Sequence, residues 1–143
     1  GAGAQYLKNL KNLISGDMEI LDPIFDPTQL QKEYLKARIF AYPSLAEKGE
    51  TFGLSALEAM SAGCVPLLSK LECFQDFAKD GSNASLFDHR TSNRVEELTQ
   101  KLSSTLANEE KLPSLSKAAL VTARKYDITQ VAQRYIDDFS RIL

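Results

Sequence analysis

The stretch Glu50-Thr51-Phe52-Gly53-Leu54-Ser55-Ala56-Leu57-Glu58 decides how the chain is read. Upstream of it, Arg38-Ile39-Phe40-Ala41-Tyr42 is an extended apolar run ended by Pro43-Ser44, and Leu45 to Thr51 forms a loop. From Gly53 to Ala62 the sequence predicts a helix closed by Gly63. Val65-Pro66-Leu67-Leu68 follows as a strand, with its proline suited to a strand's beginning. Strand, loop, helix and strand in this order make a βαβ unit, and continuous apolar strands point to a parallel sheet covered on both faces.

Gly53 stands where a helix begins, and there the free backbone N–H groups and the positive dipole end favour an anion such as phosphate. Glu50 lies on the loop before that point and Glu58 inside the helix. Two carboxylates around a phosphate-sized seat suggest a nucleotide-sugar site. Each acid also has a plainer reading. A glutamate on a loop is usually just solvated, and Glu58 could sit on an exposed face or pair with a lysine.

The rest of the chain continues the alternation. Tyr6, Leu7, Leu10, Leu13 and Ile14 recur at helical spacing, and Met18 to Leu21 reads as a short strand. Asp26 and Gln29 flank Pro27 as an N-terminal capping signal for a helix whose inner face would be Leu30, Tyr34 and Leu35. Ser69 and Glu72 would cap a short helix through Phe77; Asp80-Gly81 makes a turn, and Ala84 to Phe87 is the last strand. Beyond Asp88 the pattern is helical only. Val95, Leu98, Leu102 and Leu106 step by three and four, as do Ile128, Val131, Tyr135, Phe139 and Leu143, the latter set behind an Asp127/Gln130 cap.

With 143 residues, 43% hydrophobic and 25% charged, the composition is that of one ordinary soluble domain able to bury about two-thirds of its unfolded surface. The net charge of −2 gives no basic footprint for nucleic acid. No apolar run approaches the roughly 18 residues of a membrane span, and no secretory signal opens the sequence. Cys64 and Cys73 fit no zinc spacing and read as reduced thiols of a cytoplasmic protein. The sequon Asn83-Ala84-Ser85 carries little weight without a signal peptide, and the lone His89 reads as an ordinary surface histidine.

Taken together, Tyr42-Pro43-Ser44, Glu50-Thr51-Phe52-Gly53-Leu54, Leu57-Glu58-Ala59-Met60, Gly63-Cys64-Val65-Pro66 and Asp80-Gly81-Ser82-Asn83 resemble the retaining glycosyltransferases of family 4, over essentially the whole chain. That resemblance implies a fold and a role: an α/β, Rossmann-like parallel sheet flanked by helices, with a helical C-terminal tail, forming the C-terminal half of a GT-B enzyme. Residues 1–143 would be a single nucleotide-sugar-binding domain, with the N-terminal acceptor domain absent. Gly1-Ala2-Gly3 resembles the G-x-G after an early strand of such domains, though a cloning scar accounts for it equally. The family's Arg and Lys for the diphosphate would lie upstream.

Position by position, the resemblance gives Glu50 the hydroxyls of the donor sugar, and so the catalytic assignment, though not as a covalent nucleophile. Glu58 takes the ribose hydroxyls, and the amides around Phe52, Gly53 and Leu54 take the diphosphate; Thr51 completes the donor-binding set. The implied partner is a nucleoside diphosphate sugar, with no cofactor and no metal, since no Asp-x-Asp cluster is present. Peripheral membrane association would run through the absent half. The expected function is transfer of a sugar to a glycan or lipid-linked acceptor, as in polysaccharide biosynthesis, with the fragment inactive alone. Alternatives are a sugar-nucleotide epimerase, a phosphorylase, or a non-catalytic Rossmann-like module. Two departures bear on the donor: Glu72-Cys73 replaces a glycine pair in the Leu71–Asp76 loop, and Arg38 stands where an acid is common.

Overall fold

The computed structural model describes residues 2–142, which divide into two compact units, one through Leu30 and one from Gln31 onward. In the first, helix α1 spans Ala2–Leu13, so Ala2 and Gly3 are helical and do not form a glycine turn, while Gly1 lies outside the described residues. Met18 to Leu21 is not a strand. An extended segment becomes one only through a ladder, and the sheet takes in three other segments. Helix α2, Pro27–Lys36, straddles the two units. The Asp26 carboxylate caps it by accepting from the Gln29 amide at 2.8 Å. Tyr34 is half-buried on α2, but Leu35 is exposed, against the expected inner face.

The second unit holds the sheet. Strands β1 (Ile39–Tyr42), β2 (Val65–Ser69) and β3 (Ser85–Phe87) run parallel in that spatial order. Central β2 is buried at every position, as its unbroken apolar run requires. Its Pro66 is harmless for a geometric reason. The Val65 amide points to β1, bonding Arg38 O at 2.9 Å, so strand alternation turns the missing Pro66 N–H toward β3. Pairing with β3 starts only at Leu67.

Helix α3, Leu54–Ser61, buries Ala56, Leu57, Ala59 and Met60. It ends in a Schellman motif: Gly63, at φ +87°, donates to Met60 O, and Cys64 donates to Ala59 O, both at 3.0 Å. Helix α4 spans Arg94–Ala107, α5 Lys111–Arg124 and α6 Ile128–Ile142. The sequence reading named no element between Leu106 and Asp127, yet α5 is a core helix. Leu112, Leu115, Ala119 and Ala123 are buried, and α5 packs on α3 and β2. The Ser116 hydroxyl donates to Gly63 O at 2.7 Å, joining α5 to the α3 terminus.

Ser69 does not cap a helix through Phe77. It ends β2 with its hydroxyl buried and unpartnered among the described residues, and a single 3-10 turn, Glu72–Phe74, follows. Nor is Asn83 a modification site in the fold. Its side-chain amide donates to Phe77 O and Thr122 Oγ1, each at 2.8 Å, and its oxygen accepts from the Lys79 amide at 2.7 Å. No helix among the described residues is long and apolar enough to cross a membrane.

Candidate functional site

In a parallel sheet the loops leaving the C-terminal ends of the strands form the crevice where ligands bind. Here the β1 exit carries Glu50 and runs into α3. Gly53 is the α3 N-cap and sits at φ +85°, a left-handed conformation that costs a residue with Cβ about 1–2 kcal/mol. A second constraint acts on it: a Cβ at Gly53 would lie 2.4 Å from the Phe74 ring. The ring therefore fills the space that a side chain at this point would need. Gly53 O accepts from Ala56 at 3.0 Å and Leu57 at 3.4 Å, whereas Leu54 and Ser55 have no intrahelical acceptor within reach. Among the described residues no side chain caps this end.

Glu50 is half-buried, and its Oε2 accepts from the Tyr42 hydroxyl at 2.8 Å. That bond, then burial, pushes the Tyr42 phenol above its ordinary pKa. The Cys73 thiol is likewise pushed up, first by burial and then by the Glu50 charge. Glu58 is exposed on α3 and forms no ion pair among the described residues. Burial raises the Tyr34 phenol, with the Glu58 charge as the next contribution.

Thr51 is exposed, Leu54 is 67% exposed, and Phe52 is half-buried. The Phe52 ring packs against Phe77 and Tyr126, with centroids 5.7 and 5.6 Å away, so its side chain anchors the loop. Phe52, Leu54 and Glu58 share one wall of a groove of about 1420 Å³ between α3, the end of α5, and α6. Glu50, Thr51 and Gly53 do not line it. Among the described residues no group of three His, Cys, Asp or Glu side chains could hold a metal ion.

His89 corrects the sequence reading. Its side chain is 3% exposed, and Nε2 meets Glu47 Oε1 at 2.8 Å. The burial follows from folding, which lays the β1-exit loop over the end of β3. A further residue the sequence did not single out is Arg90, which grips the same carboxylate.

Residues 2–121 match the family "Glycosyl transferases group 1". The chain belongs to this family. It is 27% identical over 113 residues to a GDP-mannose:cellobiosyl-diphosphopolyprenol alpha-mannosyltransferase of Xanthomonas oryzae pv. oryzae, covering 79% of the chain and 29% of that protein. It is 28% identical over 125 residues to a sulfoquinovosyl transferase of Arabidopsis thaliana, covering 85% and 23%. The chain thus spans under a third of the length of these relatives.

Among solved structures, HepE of Anabaena in complex with UDP and glucose superposes with a TM-score of 0.78 at 19% identity, covering 98% of this chain and 38% of that one. The sucrose-phosphate synthase of Thermosynechococcus elongatus gives 0.74 at 22%, covering 99% and 35%. The fold of this group 1 glycosyl transferase chain is that of GT-B C-terminal domains: a parallel sheet flanked by helices, with a C-terminal helix.

Proposed function

We propose that this chain is the donor-binding domain of a retaining, metal-independent glycosyltransferase of family 4, acting on a nucleoside diphosphate sugar. The observation that carries the reading is Glu50 oriented by Tyr42 on the loop that enters α3 through Gly53, with uncapped amides at that helix end. Glu50 binds hydroxyls of the donor sugar, and Glu58, one helical turn inside α3 and open to solvent, takes the ribose hydroxyls. Vicinal hydroxyls are well held by carboxylate acceptors. The diphosphate rests on the amides from Phe52 to Leu54, where the dipole also stabilises the departing nucleotide.

A mannosyltransferase relative and a neighbour holding UDP and glucose support this choice of ligand class. The acceptor, a glycan or a lipid-linked saccharide, belongs to a second domain outside this chain. The exposed face of α6, with Ile128, Tyr135, Phe139 and Ile142, is apolar surface that such a domain would cover. The test is calorimetric titration with UDP-glucose, GDP-mannose and the free diphosphates, with EDTA present throughout. Glu58→Ala should weaken every nucleotide that the wild type binds. Equal affinities in the two proteins would remove Glu58 from the site.

A further inference from the structure

The loop from Leu45 to Thr51 has only two side-chain tethers that leave it among the described residues. One is Glu50 to Tyr42. The other is Glu47, which reaches the turn after β3. Its Oε1 lies 2.8 Å from His89 Nε2 and 2.7 Å from Arg90 Nε, and its Oε2 accepts from Arg90 Nη2 at 3.0 Å. Arg90 Nη1 also donates to Lys70 O at 3.0 Å, just past β2. One guanidinium therefore ties together the exits of all three strands.

The base of this arrangement is fixed. The Arg90 amide donates to Asp88 Oδ1 at 3.0 Å, and the Asp88 amide donates to Glu97 Oε1 on α4 at 3.1 Å. Because Glu47 can only accept, Nε2 carries a proton in the neutral imidazole and Nδ1 presents a lone pair, which is buried without a partner among the described residues. Gly49, at φ +110°, lies between Glu47 and Glu50, so the loop is free to hinge there if the tether is cut.

We propose that Glu47, His89 and Arg90 are positioning residues that hold the Glu50 loop ready for the sugar, without touching the donor themselves. The inference rests on the donor-binding reading above and adds the device that preorganises it. Its signature is selective: cutting the clamp should harm recognition of the hexose and spare the nucleotide, which α3 and Glu58 hold. A merely structural role would weaken both or neither.

Glu47→Gln keeps the side chain's shape and removes its charge. Affinity for UDP-glucose or GDP-mannose, whichever the wild type binds, should fall about tenfold, the equivalent of one charge-assisted hydrogen bond. Affinity for UDP or GDP should stay unchanged. Arg90→Lys should behave in the same way, because an ammonium cannot make the parallel pair and reach Lys70 O as well. Independently of ligand, amide exchange over residues 46–52 should accelerate in Glu47→Gln while β2 is unaffected. Unaltered loop exchange, or equal loss of hexose and free nucleotide, overturns the clamp even where wild-type binding is intact. A wild type that binds none of the four ligands instead overturns the donor-binding reading, and the inference with it.

Discussion

The Tyr42 hydroxyl, on the last residue of β1, stands 2.8 Å from Glu50 and fixes one carboxylate oxygen of the loop that begins at that strand. The bond spans eight residues and closes the loop on its own origin. Tyr42 is itself held by a ring ladder, stacked on Phe40 at 6.1 Å and edge-on to Phe74 at 6.1 Å, so its hydroxyl is delivered by packed aromatics. Tyr42→Phe should keep the ladder, cost about 0.5–1.5 kcal/mol of stability, and leave Glu50 free to rotate. The phenol's raised pKa gives the pH sign. The neutral hydroxyl is favoured in the fold, so this contribution is present below the unfolded pKa near 10 and is lost as pH rises through the folded value. Denaturant titrations of the two proteins at neutral and at strongly alkaline pH should therefore differ at neutral pH and converge in alkali.

Gly53 is constrained twice, by φ +85° and by the Phe74 ring. Gly53→Ala should cost about 2–4 kcal/mol, part from the left-handed backbone and part from the overlap. Adding Phe74→Leu separates the two. It relieves the overlap but not the dihedral, so the measured coupling between the substitutions should be favourable by about 1 kcal/mol or more. Strict additivity in chemical denaturation would mean that the ring yields without cost.

The β1–loop–α3–β2 unit was legible because its signals are local: unbroken apolar runs, a glycine at each end of the helix, and a proline at the start of a strand. What was not legible depends on partners brought from afar. His89 is buried and meets Glu47, 42 residues earlier, and nothing beside His89 in the sequence announces this. Met18 to Leu21 has strand-like composition but lacks the ladder that makes a strand. Helix α5 was overlooked because half of its buried positions are alanines, Ala119 and Ala123, which carry little hydrophobic signal yet suit close packing. At the site, the motif showed where Glu50, Gly53 and Glu58 would stand. Tyr42, which meets Glu50, Phe74, which packs on Gly53, and Arg90, which binds Glu47 in the loop before them, all lie outside the Glu50–Glu58 stretch.

Asn83 illustrates how a local pattern misleads. As a sequon it invites a glycan, but at 6% exposure it links the segment before β3 to α5 through Thr122, 39 residues away. Asn83→Ala would leave the Lys79 amide without its side-chain acceptor and the buried Phe77 carbonyl without its side-chain donor, a loss of about 2–4 kcal/mol. Asn83→Asp keeps the acceptor and loses the donor, and should be intermediate. Thermal melts of the three proteins test that order. A fully stable Asn83→Ala would show that the network adds little.

Acid should act through Asp80. Burial pushes its carboxyl up, but the Leu86 amide at 2.8 Å and the Lys101 ammonium at 3.0 Å outweigh it and hold the group below the usual carboxylate range. A depressed folded pKa means that the stabilisation is fully present above the unfolded value near 3.9 and disappears as pH falls through the folded value. Asp80 caps the turn into β3 and ties it to α4, so its protonation loosens the sheet edge there. Asp80→Asn should lower stability at neutral pH and flatten its decline as pH falls below the unfolded carboxyl value of about 3.9. Urea midpoints measured across that range for wild type and variant provide the check, and parallel curves would assign the acid sensitivity to other carboxylates, such as Glu47 with its His89 and Arg90 partners.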